Sequence, residues 1–182
     1  MAILTKARLM QLTESKLGSV RYVQMLNESR QETKYSATVT VFLSHSHGDL
    51  EKTEVNRAIA LLRRTGVKVY IDSQDSSLPP FTSAHTAKKI KDEIKANRKF
   101  ILLATNNAIN SKWCNWELGF GDAHKYIDHI ALIPLADSST TWNGAEYLRI
   151  YPRIEESEYT EDYIKVIFPD TKEMSLTDWL KS

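Results

Sequence analysis

Between residues 38 and 135 the chain alternates four short apolar runs with three amphipathic stretches, and this alternation fixes the class of fold. The runs are TVTVFLS (38–44), VKVYID (67–72), KFILLAT (99–105) and HIALIPL (129–135). Each is nearly unbroken and rich in branched residues, the pattern of strands covered on both faces. Between them, DLEKTEVNRAIALLRRTG (49–66) sets Val55, Ala58, Ile59 and Leu62 at helical spacing, with Gly66 placed to end the helix. AHTAKKIKDEIKANR (84–98) does the same with Ala87, Ile90 and Ile94, and a third helix opens in SKWCNWELG (111–119) and runs to about Lys125. Strand and helix in strict alternation predict an α/β domain: a parallel sheet of about five strands with helices on both faces. NNAINS (106–111) and SQDSSLPPFTS (73–83) read as loops, the second because the Pro79–Pro80 pair forbids a helix.

The flanks follow other patterns. Residues 1–37 carry Leu9, Leu12, Val20, Val23 and Leu26 among helix formers, with Gly18 as a break, and predict an N-terminal helical extension. Residues 38–152 form the central domain. In the C-terminal part, EYLRIYP (146–152) and YIKVIFP (163–169) read as strands, and SLTDWLKS (175–182) as a short helix capped by Ser175. Residues 153–182 are expected to pack on the domain as an extension.

Composition narrows the partners. A net charge of +1 gives no field that would gather nucleic acid or a membrane surface. One cysteine, Cys114, allows no internal disulfide and fits a reducing compartment. No apolar run approaches membrane-spanning length, and the N-terminus MAILTKARLMQLTESKLG is interrupted by Lys6, Arg8 and Glu14, unlike a signal-peptide core. A cytoplasmic protein is expected.

Open parallel sheets bind ligands beyond the carboxyl ends of their strands, where the strand order reverses. In the flavodoxin-like order that point lies between the first and third strands. The first strand ends at Ser44-His45-Ser46-His47-Gly48-Asp49, and the third leads into the helix carrying Glu117. Asp72 closes the second strand on the same edge. Along the helix, Trp113 and Glu117 are four apart and share a face with Gly121 and His124. Trp116 and Phe120 form a second pair, with Trp116 expected in the core, and Cys114 and Leu118 a third, core-facing one.

These residues carry a resemblance. FLSHSHGD (42–49) resembles the F-x-S-x-S-x-x-D opening of Toll/interleukin-1 receptor (TIR) domains, VYID (69–72) is similar to their second strand, and SKWCNWELGF (111–120) to their S-x-W-C-x-x-E-L segment. Each is modest alone; together, in order, they are specific. One departure is the loop after the second strand, which lacks the family's leucine–glycine pair and reads SSLPPFTSAH.

The resemblance implies a flavodoxin-like fold and, for bacterial members of the Thoeris anti-phage type, cleavage of NAD at the nicotinamide–ribose bond, with cyclisation of the product in some. It makes Glu117 the catalytic acid. No cofactor is required, since NAD is the substrate. Phe42 and Trp113 are candidates for stacking on it, and Ser44, His45, Ser46 and Asp72 for contacting its ribose or phosphate oxygens. The implied partners are NAD, further TIR domains in a homo-oligomer or TIR–TIR assembly, and a downstream effector that senses a nucleotide product. The alternative is a non-catalytic module that signals by TIR–TIR contact alone.

The chemistry accommodates a single acid. Glycosidases use a second carboxyl group to protonate the leaving oxygen. Nicotinamide in NAD is already cationic and leaves neutral, so one carboxylate that stabilises the developing oxocarbenium charge is enough. Other chemistries find less support. His45 and His47 lack the Cys or acidic partners of a tetrahedral metal set. No nucleophile elbow surrounds Ser44, and no glycine-rich phosphate loop is present. A phosphoacceptor receiver would carry an acidic cluster where this chain has serines and histidines.

Overall fold

The computed structural model describes residues 3–14, 39–49, 53–76, 83–136, 144, 146–157, 160 and 163–182. Its strands are β1 (Leu4–Thr5), β2 (Thr40–Ser44), β3 (Lys68–Tyr70), β4 (Lys99–Ala104), β5 (Ile130–Ala136), β6 (Arg153–Glu156), β7 (Ile164–Ile167) and β8 (Glu173–Ser175). Its helices are α1 (Lys6–Glu14), α2 (Thr53–Arg63), α3 (Ala84–Ala96), α4 (Asn106–Asn110), α5 (Lys112–His124) and α6 (Leu176–Lys181). The sheet order is β3-β2-β4-β5-β6-β7-β8. The first five strands of that path run parallel, and β7 and β8 continue antiparallel. This is the flavodoxin-like order expected, with its reversal between β2 and β4, the first and third strands of the central domain.

The apolar runs are buried on both faces for a visible reason. Odd-numbered residues of β2 and β4 (Val41, Leu43, Ile101, Leu103) turn to one side, where α1, α2 and α6 cover them with Leu9, Leu12, Val55, Ile59, Leu62 and Trp179. Even-numbered residues (Phe42, Phe100, Leu102, Ala104) turn to the other, under Ile90 and Ile94 of α3 and Cys114 and Leu118 of α5. Gly66, at φ +84°, closes the turn after α2 in a conformation that favours glycine.

The segment 106–111 departs from the expected loop. Thr105 caps a short helix by accepting the Ala108 N–H, and Ser111 immediately caps the next by accepting the Cys114 N–H. Two consecutive hydroxyl caps thus replace one loop with a helical corner. EYLRIYP is also corrected: Glu146–Ile150 is a 3-10 turn, not a strand. Its buried residues Leu148 and Tyr151 are three apart, a turn spacing, while Tyr147 and Ile150 are exposed. Pro152 has no N–H to give, but its carbonyl accepts the Leu132 N–H, so the ladder with β5 starts there and leads into β6.

The described part of the N-terminal extension is a strand as well as a helix. Leu4 and Thr5 pair in parallel with Leu135 and Ala136. The helix α1 then lies on α2: Arg57 donates to the Met10 carbonyl, Thr13 Oγ1 and Glu14, and Arg64 to the Leu12 carbonyl. Arg8 grips Glu156 through two hydrogen bonds, at 2.8 and 2.5 Å. The extension therefore covers the face of the sheet opposite α5. Expectations for Val20, Val23, Leu26 and the NESRQETKYS linker fall outside the described residues, as does the Pro79–Pro80 loop. The expected C-terminal helix is α6, and Ser175 caps it by accepting the Asp178 N–H. Among the described residues no helix is long and apolar enough to cross a membrane.

Candidate active site

Ser44 is the last residue of β2 and, two residues on from Phe42, faces α5. Glu117 lies six residues beyond the Ser111 cap and points back to the strand end. Ser44 Oγ donates to Glu117 Oε2 at 2.6 Å. Both residues are buried, Glu117 to 2% exposure. Its second oxygen, Oε1, is buried with no hydrogen-bond partner among the described residues. An ordinary surface glutamate on a helix would have both oxygens in water; this one has neither.

Burial, and then the neighbouring charge of Asp72, push the Glu117 carboxyl up to about 8. The Ser44 hydrogen bond, His47 and Trp113 pull the other way without cancelling the effect. Asp72 opens a 3-10 turn one residue after β3. Burial alone would raise its carboxyl, but His47, His45 and the Ser73 N–H outweigh that and hold it below the ordinary value. His47 Nε2 is 3.2 Å from Asp72 Oδ2, and His45 Nδ1 is 3.9 Å from Oδ1. His45 is buried, with Nε2 at 3.1 Å from Ser73 Oγ, and desolvation lowers its pKa.

Ser46 and the turn His47–Asp49 form one wall. Ser46 Oγ accepts the Gly48 N–H. Asp49 is buried and receives Thr105 Oγ1 at 2.5 Å and Asn107 Nδ2 at 2.7 Å. These two bonds tie the end of β2 to the start of α4, and so hold the corner from which α5 departs. Asp49 is the aspartate of F-x-S-x-S-x-x-D, so its position was marked in the sequence although its partners were not.

The other candidates divide. Phe42 is core: its ring lies in register between Tyr70 and Phe100, with both centroid separations 5.5 Å, and it is 1% exposed. No face of it is free to stack on a ligand. Trp113 is half-buried on α5, its ring 4.8 Å from that of Trp116. Trp116 packs against the core as expected but stays half-buried, one rung of a ladder through Phe120 to His124, with the Lys91 ammonium over its ring. Cys114 is fully packed and burial raises its thiol to about 11, so it is an apolar filler rather than a nucleophile. Ser44 donates to a carboxylate and not to a histidine, which leaves no triad. Among the described residues no group of three or more His, Cys, Asp or Glu is placed to hold a metal ion.

Ser44, His45, Ser46, Asp72 and Glu117 thus meet at the carboxyl edge of β2 and β3, with Trp113 on the same helix as Glu117. His47 belongs with them and was not among the candidates. Its signal was its place two residues after His45 at a strand end, within reach of whatever closes the neighbouring strand.

The TIR domain family model matches residues 41–163. A curated relative from Bacillus cereus (strain MSX-D12), named "Probable 3' cyclic ADP-D-ribose synthase ThsB'", is 30% identical over 118 residues, which is 63% of this chain and 59% of the relative. The chain thus spans about three-fifths of the length of that relative. The solved TIR domain of the Toll-related receptor TRR-2 from Hydra magnipapillata aligns at 21% identity and a TM-score of 0.40, covering 50% of this chain and 66% of that one.

Proposed function

The chain belongs to the TIR domain family, and on that premise we propose that it is an NAD-cleaving enzyme that breaks the nicotinamide–ribose bond, with Glu117 as its catalytic acid. One observation carries the reading: Glu117 is buried, with one oxygen held by Ser44 and the other without a hydrogen-bond partner among the described residues. A buried carboxylate in that state costs stability, and sites of function are where such costs collect.

The residues fit the chemistry. The carbon–nitrogen bond breaks with its electron pair going to nicotinamide, which leaves neutral, so no proton need be supplied. Positive charge grows on the ribose, and the Glu117 carboxylate opposes it in a site with little water, where the attraction is strong. Glu117 must be ionised for this. The approach of the cationic substrate lowers its pKa from about 8, so binding and ionisation reinforce each other. Ser44 fixes one oxygen and leaves Oε1 for a ribose hydroxyl. Trp113 offers a ring face, and Ser46, His45 and Asp72 line the strand ends where ribose and phosphate oxygens would lie.

The similarity to a cyclic ADP-ribose synthase supports cyclisation, in which a hydroxyl of the same molecule takes the place of water. A role in anti-phage defence, a homo-oligomeric TIR–TIR assembly and a downstream effector that reads the product complete the proposal. The test is release of nicotinamide from NAD by the pure protein, followed by chromatography, at low and high protein concentration. Glu117→Ala and Glu117→Gln should abolish release while circular dichroism stays native. Undiminished turnover in either variant refutes the assignment.

A further inference from the structure

His47 stands beside the site with an unexplained geometry. Its side chain is 65% exposed, yet its Nε2 is fixed at 3.2 Å from Asp72 Oδ2. Asp72 is itself held: the Ser73 N–H donates to Oδ1 at 2.8 Å, His45 lies 3.9 Å away, and the carboxylate is only 10% exposed. A carboxylate so fixed sets the tautomer of its partner, with the proton on Nε2 and the lone pair on Nδ1, in a ring near enough to Glu117 to feel its charge. The His45 ring, 6.1 Å away, is turned to Ser73 and does not compete for that position.

The proposed reaction leaves one proton unaccounted for. Cleavage of the carbon–nitrogen bond moves none. Capture does: as the oxygen of water or of a ribose hydroxyl bonds to the ribose carbon, its O–H bond breaks and the proton must go to a base. Glu117 is poorly suited to take it, because Ser44 occupies Oε2, Oε1 is given to a ribose hydroxyl in the proposed complex, and its negative charge is what stabilises the cationic ribose. Resting on the NAD-cleaving reading, we infer that the Asp72–His47 pair is the general base of the capture step: His47 Nδ1 accepts the proton from the attacking oxygen, Asp72 stabilises the imidazolium, and the proton passes from the exposed ring to solvent. The hydrogen bond to Asp72, the largest influence on His47, raises its pKa from 6.5 and makes it a better base than a free imidazole.

A neutral pyridine base offers a control. When it attacks the ribose carbon in place of nicotinamide, a carbon–nitrogen bond forms and no proton is released. Exchange of nicotinamide for 3-acetylpyridine therefore needs ionised Glu117 but no base, and it is measured at pH 9, above the Glu117 range, so that the pull of His47 on that carboxyl does not enter. Wild type, His47→Gln, Asp72→Asn and Glu117→Gln are each given NAD with and without 3-acetylpyridine, and hydrolysed, cyclic and exchanged products are separated by chromatography. Glu117→Gln should lose every product. His47→Gln should lose hydrolysis and cyclisation by roughly a hundredfold, the scale of general-base catalysis, and keep exchange within about threefold. Asp72→Asn should lower capture by a smaller factor than His47→Gln. If His47→Gln lowers capture and exchange in equal proportion, or neither, the pair is not the base and Glu117 chemistry stands without it. A wild type that makes none of the products removes the NAD-cleaving reading, and the base with it.

Discussion

Replacing Glu117 by glutamine keeps the shape of the side chain and removes its titration, which makes the burial of this group measurable without substrate. Folded, the carboxyl is pushed up to about 8; in the unfolded chain it returns to the ordinary 4.5. Between those values the folded state holds a proton that the unfolded state has released, so stability falls as pH rises through that window. From pH 5 to pH 9 the loss is about 4 kcal/mol, taking 1.36 kcal/mol for each unit of pH between the two values. In a chain of this size each kcal/mol moves the melting temperature by about 2–4 °C, so wild type should lose on the order of 10 °C over that range from this group alone. The glutamine variant should lose none of it. The Ser44 bond survives, because the amide oxygen accepts it. Among the described residues the amide nitrogen meets no partner, which costs about 1–3 kcal/mol at every pH. The offset between the two proteins is thus a mixture, and the slope is the readout. Thermal unfolding followed by circular dichroism from pH 5 to pH 9 should give curves that converge or cross, with the variant gaining on wild type as pH rises. Parallel curves would show that Glu117 is ionised in the resting fold at neutral pH, and the burial argument would fall. The same titration predicts that kcat/KM for nicotinamide release climbs with pH and levels above about 8.

Other perturbations separate packing from chemistry. Ser44→Ala removes the hydrogen bond that favours the ionised form of Glu117, and should shift the rising limb of the activity profile to higher pH and cut nicotinamide release at pH 7 about tenfold or more, since bonds to charged groups contribute about 1.5–3 kcal/mol. Gly119→Ala meets nothing within 4 Å and should stabilise α5 by roughly 0.5–1 kcal/mol in urea unfolding, whereas Gly121→Ala places its Cβ 3.3 Å from the fully buried Phe100 ring and should destabilise by about 1–3 kcal/mol. Arg8→Ala breaks the double contact with Glu156 and should lower unfolding stability by about 1–2 kcal/mol while leaving nicotinamide release at 25 °C unchanged.

The parts of the fold legible in the sequence were those whose reason is local. β2, β4 and β5 announce themselves because both faces are covered: β5 is apolar throughout, and β2 and β4 carry polar residues only at their ends (Thr40, Ser44 and Lys99). The corner at 106–110 was hidden by its short length; only the successive Thr105 and Ser111 caps betray it. β6 could not be read, because RIEE looks like a surface segment until its partners are known. Arg153 pairs with Glu155 along the strand, and Glu156 with Arg8, which is 148 residues away. The same limit applies to the site. Glu117, Ser44 and Asp72 sit where the strand order places them, since topology alone brings those ends together. The role of Phe42 turned on which neighbours flank it in register, and the role of His47 on a bond across 25 residues to Asp72.

Phe42 acts on the site without touching a ligand. Tyr70, Phe42 and Phe100 occupy equivalent rungs of β3, β2 and β4 and form one row of rings across the sheet. The α5 helix settles on the Phe100 end of that row at Gly121, where a hydrogen in place of a methyl group lets the backbone come down onto the ring. Glu117 is one turn earlier on the same face, and Ser44 is two residues beyond Phe42 on the same side of its strand. The height of the helix over the row therefore sets the distance from Glu117 to Ser44. A methyl group at 121 would lift or tilt the helix, and the 2.6 Å bond, short and sensitive to displacement, would lengthen before the core lost much of its buried surface. Gly121→Ala should for that reason reduce nicotinamide release by a larger factor than its unfolding free energy alone accounts for when assayed well below its melting temperature. A variant that is destabilised but fully active there would show that the height of α5 and the geometry of the acid are independent.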